Sequence, residues 1–130
     1  MLKDVPIGAR AEVSRTVKPQ DTLAAHVDWL PPVLTTPNMI AWMEMACFDA
    51  LQPFCEPGET TVGTHINVSH RAPTGVGKKV FADAVLERVD GRFYMMKVSA
   101  RNEDGVVIGD GYVGRAFIHM GKFQAKTGAT

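Results

Sequence analysis

Residues 37–51 read PNMIAWMEMACFDAL, a helix with a start, a stop and apolar side chains on nearly every side. Pro37 suits the first helical position, where no backbone N–H is needed, and the Thr36 hydroxyl is placed to cap the first turn. Pro53 ends the run. At 100° per residue Ile40, Glu44, Cys47 and Leu51 fall on one line, while Trp42, Met43, Met45 and Phe48 spread apolar surface around the rest. Such a helix cannot rest on a flat surface with half its girth in water. It needs cover from more than one direction.

The chain around it supplies strands. Residues 11–17 (AEVSRTV) alternate weakly and predict a first strand; residues 18–35, with Pro19, Pro31 and Pro32, predict an irregular flap. Four further strands are expected at roughly 60–71, 79–89, 92–103 and 106–119. The hairpin dipeptides Asp90-Gly91 and Asp104-Gly105 separate the last three. Gly109, Gly111 and Gly114 predict a bulge or a close backbone approach in the final strand. The order reads as strand, flap, helix, then a meander of four strands. That is an α+β architecture in which one long central helix is wrapped by a curved antiparallel sheet of about five strands, the plan of the hot-dog fold.

At 130 residues the chain is expected to form one domain, residues 1–130. Its 14 basic and 14 acidic side chains are interspersed, which argues against a nucleic-acid or anionic-membrane partner. MLKDVPIGAR has no apolar signal core, and no apolar run is long enough to span a bilayer. The two cysteines lack disulfide-framework or metal-ligand spacing, so a reduced, cytoplasmic protein without a metal is the expectation.

A lone carboxylate in the most apolar stripe of a helix is costly unless it is paired or neutralised. Glu44 is that carboxylate; its ordinary explanation is a stripe edge that reaches water, or a core hydrogen bond. In the strand VGTHINVSHRAP, alternation puts Val62, Thr64, Ile66, Val68 and His70 on the face toward the helix, and His65, Asn67 and Ser69 on the other. An inward His is usually a satisfied core residue. Here it joins an inward Glu and the Thr at the helix start, which together are a hydrolase's requirements. Glu44 offers a base or nucleophile, His70 a proton carrier and Thr36 an orienting hydroxyl. Gly63 allows backbone to approach a carbonyl oxygen. Arg71, Lys78 and Lys79 offer cations to phosphates, or form an ordinary solvated basic loop. Cys47, mid-helix in the stripe, reads as an inert core thiol.

TPNMIAWMEMAC, then LQPFCEPGETTVGTHINVSHRAPTGVG, and GYVGRAFIH near the end resemble the fluoroacetyl-CoA thioesterase-like family of hot-dog proteins. In that family a threonine at the helix start, a helix glutamate and a strand-closing histidine are catalytic, which the resemblance carries onto Thr36, Glu44 and His70, with Gly63 as the strand glycine. It implies acyl-CoA thioester hydrolysis with no cofactor beyond the CoA of the substrate. It also implies a homodimer, with a tetramer as the larger alternative. The family's flap phenylalanines shape the acyl pocket; here the stretch reads HVDWLPP, so Trp29 and Leu30 imply a different short or branched acyl group. The rivals are a hot-dog hydratase or dehydratase, and an acyl-CoA-binding module without activity. Thr36 and Glu44 lie eight residues apart on the helix, about 12 Å at 1.5 Å per residue. A direct bond between them is hard to build, which predicts a substrate lying between them or a site at a subunit interface.

Overall fold

A computed structural model describes residues 2–128; of the expected domain, Met1, Ala129 and Thr130 lie outside the described residues. Strand β1 (Arg10–Thr16) leads into two short 3-10 turns (Pro19–Asp21 and Leu23–Ala25). Helix α1 (Thr36–Leu51) follows and tightens into a 3-10 turn (Gln52–Phe54) that contains Pro53. Then come β2 (Glu59–His70), β3 (Lys79–Asp90), β4 (Phe93–Asn102), β5 (Val107–His119) and a short helix α2 (Met120–Thr127) that the sequence reading did not anticipate. Among the described residues no helix is long and apolar enough to cross a membrane.

The five strands form one antiparallel sheet in the order β1-β3-β4-β5-β2, which corrects the expected four-strand meander. Only β3, β4 and β5 meander. β3 is occupied on both sides by β1 and β4, so β2 has no edge of β3 to pair with and lies along β5 at the far margin. The β2–β3 connection does not turn back as a hairpin. It is tied to the flap, with Val33 bridging Gly75 and Leu34 N–H donating to Thr74 O at 2.8 Å. The last two connections are hairpins, as the Asp-Gly dipeptides predict. Gly91, at φ 63°, takes the left-handed conformation that the tight β3–β4 turn requires.

The helix packs chiefly across β1 and β3. Its buried positions are Met39, Met43, Ala46, Cys47, Ala50 and Leu51. The centre of the apolar stripe therefore runs Met39-Met43-Ala46-Ala50, one residue round from the expected line. Ile40 and Glu44 sit at its margin, half-buried. Ala82, Ala84 and Ala100 on the sheet present small side chains to the core alongside Leu86, Met96, Val98 and Val113. At its N-terminal end the helix comes so close to the sheet that a Cβ on Gly109 would sit 2.5 Å from Met39 Sδ. Gly109 pairs with His70, so the same close approach seats the helix start beside the end of β2.

Candidate active site

Two adjacent threonines divide the work at the helix start. Thr35, not Thr36, is the N-cap: its side chain accepts from Asn38 N–H at 3.1 Å. The cap is fixed from the flap, where Asp21 accepts from the Asn38 side-chain amide at 3.0 Å and from Thr35 N–H at 3.0 Å. Thr36 is the first helical residue and its hydroxyl is free of capping duty. Its Oγ1 lies 2.8 Å from His70 Nδ1. The other ring nitrogen of His70, Nε2, is buried without a protein partner. A shallow hollow of about 220 Å³ adjoins the ring, lined by Val33, His70, Arg71, Ala72 and Pro73.

His70 and Gly63 both face the helix because β2 is bulged. The register slips between Gly63 and His65, leaving Thr64 as the extra residue. Directly opposed residues of an antiparallel pair share a face. Before the bulge the inward row is therefore Glu59, Thr61 and Gly63, opposite His119, Phe117 and Arg115; after it the row is Ile66, Val68 and His70, opposite Val113, Gly111 and Gly109. Unbroken alternation put Val62 and Thr64 inward, and the bulge overturns that assignment. His65 is exposed, as expected, on the rim of an outer hollow with Arg88, Phe93 and Met95.

Glu44 is not alone. Its Oε2 lies 3.7 Å from Arg115 Nη1, and its Oε1 lies 3.1 Å from where a Cβ on Gly63 would be. Only glycine there lets the strand backbone and the carboxylate come together without displacement. Arg115 is 5% exposed and donates through Nη2 to Thr61 O at 2.9 Å and to Thr61 Oγ1 at 3.0 Å. Burial pulls the Arg115 guanidinium down from its ordinary range, and Glu44 opposes that shift. The carboxylate itself keeps 36% of its side chain exposed, so a substrate can reach it. One turn on, burial pushes the Cys47 thiol up to about 12; the neighbouring Arg115 acts against that and Glu44 adds to it. A thiol so far from ionising is no nucleophile.

Arg115 is the residue of the candidate site that sequence reasoning missed. Its signal was a cation in the row Val113-Arg115-Phe117, with one apolar inward neighbour on either side. Two of the three cations expected at phosphates are paired within the chain: Arg71, beside His70, meets Asp110 at 2.8 Å, and Lys78 reaches Asp104 at 3.3 Å. In the flap Leu30 is half-buried, whereas Trp29 stands 80% exposed and encloses nothing within one chain. Among the described residues no group of three or more His, Cys, Asp or Glu side chains is placed to hold a metal.

One chain thus carries two half-sites, Thr36 with His70 and Glu44 with Gly63 and Arg115. Along the helix Thr36 and Glu44 are about 12 Å apart, and along β2 Gly63 and His70 are separated by about 20 Å. The first half-site can orient an imidazole for proton transfer. The second presents a carboxylate next to backbone that a carbonyl can approach.

The same residues fall within a known family. The sequence model of the fluoroacetyl-CoA-specific thioesterase family matches residues 17–120. The fluoroacetyl-CoA thioesterase of Streptantibioticus cattleyicolor is 46% identical over 97 residues, 74% of this chain and 68% of that protein. A solved structure of a fluoroacetyl-CoA thioesterase superposes with a TM-score of 0.87 at 36% identity, covering 95% of this chain and 96% of that one. That enzyme has also been solved, as a variant, with fluoroacetate and CoA bound. A hot-dog-like protein from Thermanaerovibrio acidaminovorans, 20% identical, shares the fold with a TM-score of 0.84 over 94% of this chain and 90% of that one. The chain belongs to the fluoroacetyl-CoA-specific thioesterase family, thioester hydrolases built on the hot-dog fold.

Proposed function

We propose that the protein hydrolyses a short or branched acyl-CoA thioester to the free acid and CoA, at a site completed by two copies of the chain. The observation that carries this reading is the 2.8 Å contact between Thr36 Oγ1 and His70 Nδ1, made while Glu44 lies against the Gly63 backbone. Thr36 orients the imidazole, His70 moves the proton, and Glu44 activates water or attacks the thioester carbonyl. The relative solved with fluoroacetate and CoA supports an acyl-CoA substrate. Trp29 and Leu30 in the flap favour an acyl group other than fluoroacetyl.

Joining the half-sites calls for a second chain. β2 is an edge strand, and residues 63–67 are exposed along it, with Ile66 at 39%. An edge of that length is a template for another strand. Two copies of β2 paired antiparallel about a two-fold at Asn67, with the bulged Thr64 again left unpaired, set Gly63 of one chain opposite His70 of the other. Opposed residues share a face, so both still look toward the helices. Glu44 of one protomer then meets Thr36 and His70 of its partner.

Release of free thiol from a panel of short, branched and aryl acyl-CoAs tests the activity. Turnover of a short or branched member is expected. Tight acyl-CoA binding with no thiol released, or water added across an enoyl-CoA, would contradict the reading.

A further inference from the structure

The end of the sheet remote from His70 carries a cleft that the reaction above does not use. α2 turns back beside the end of β5, and Arg92 from the β3–β4 turn meets His119, Lys122, Phe123 and Lys126 around a hollow of about 260 Å³. Lys122 and Lys126 stand one helical turn apart on the same face of α2, an arrangement that costs the helix stability through like-charge repulsion. Arg92 adds a third positive charge to the same space.

In a neutral chain this concentration is unusual. Lys3, Arg10, Arg71, Lys78, Arg101 and Arg115 each have a carboxylate within ion-pair distance. Arg92, Lys122 and Lys126 have none among the described residues. Glu59, across the strand pair from His119, is already engaged by Lys3 at 2.8 Å. Phe123 leaves 38% of its surface exposed, and Arg92 is stacked 5.2 Å from the Phe93 ring centroid. Unpaired cations set beside an open aromatic ring match a phosphorylated purine nucleotide, with phosphates for the cations and a base for the ring.

We propose that this cleft binds the phosphorylated adenosine end of the acyl-CoA substrate, an inference that rests on the thioesterase reading. Position supports it. Arg115, which touches Glu44, lies on β5 two to four residues before the cleft residues of that strand, about 7–13 Å at 3.3 Å per residue. The pantetheine arm of CoA separates thioester from phosphates by at least that span. The cleft therefore holds the nucleotide while the thioester sits at Glu44. α2 lies almost entirely beyond residues 17–120, the stretch that the family model matches.

Adenosine 3′,5′-bisphosphate, titrated calorimetrically into the full chain, is the direct probe. It should bind more weakly as salt rises, and Lys122→Ala/Lys126→Ala should raise its Kd at least about tenfold. In the kinetic arm, the ratio of kcat/KM for an acyl-CoA to that for the same acyl-pantetheine should fall about tenfold or more in the double variant, as expected for losing two charged contacts. Lys97→Ala, which removes a cation on β4, should leave that ratio unchanged. Absence of bisphosphate binding, or binding that ignores the two lysines, overturns the proposal. Lysine-dependent binding with an unchanged ratio overturns the substrate assignment and points to a free nucleotide. Lysine-dependent binding in a protein that hydrolyses neither thioester supports the cleft and strikes the thioesterase reading instead.

Discussion

The proposed chemistry turns on which hydroxyl and which carboxylate are left free. Thr35 satisfies the helix end, so Thr36 can hold His70; Arg115 is anchored through Nη2 to Thr61 and lies 3.7 Å from one Glu44 oxygen, so the carboxylate keeps an open side. Glu44→Gln should lower kcat/KM at least about a hundredfold, the scale of a lost acid–base group. Its Tm should move by only a few degrees, because the amide oxygen still faces Arg115 and the pair is partly solvated. Near wild-type turnover would remove Glu44 from the reaction. Much of this was legible at the residue scale. Glu44 stood out as a charge in an apolar stripe, and His70 as the last inward residue of a strand. Arg115 did not, because its partners come from α1 and β2, far away in sequence. The two threonines were not separable, since either hydroxyl suits a cap.

At the scale of elements, strand boundaries followed from period-two alternation and the Asp-Gly turns, which are local signals. The bulge in β2 was not legible, because the extra residue shows only against β5. α2 was missed because its eight residues, half of them polar, carry no clear period. The N-terminal segment also gained a role that the sequence did not suggest. Lys3 spans to Glu59 and Glu56, and its backbone meets the Tyr94 hydroxyl. The Lys3 hydrogen bond holds the Glu59 carboxyl below its usual range, and the Glu56 N–H adds to that. A carboxyl lowered in the folded state stabilises fully above its ordinary pKa of about 4.3 and loses that contribution as pH falls through the folded value. The Tm gap between wild type and Lys3→Met should thus be constant from pH 6 to 8 and close in acid below about pH 4. A gap that persists unchanged at pH 3 would show that packing, not charge, carries the strap. The β2 edge makes its own prediction. Ile66→Lys should leave a folded chain that sediments as a monomer and has lost activity, because a charge on a flat edge blocks strand pairing. A monomeric Ile66→Lys protein with full activity would mean that the site needs one chain only.

For the whole molecule, the α+β class and the wrapped helix followed from a helix that is apolar on most sides. The sheet order did not, since β2 reaches β5 across two intervening strands and nothing local specifies a non-neighbour. That order is what leaves β2 exposed at the margin. The central claim is that Glu44 of one protomer works with Thr36 and His70 of the other. Mixing inactive Thr36→Ala and Glu44→Gln chains under conditions of subunit exchange tests it most directly. Each heterodimer pairs one intact Glu44 with one intact Thr36 and His70 across the interface, so thiol release from acyl-CoA should return toward half the wild-type level per heterodimer. Proven exchange with no recovered activity would contradict the account and place each site within a single chain.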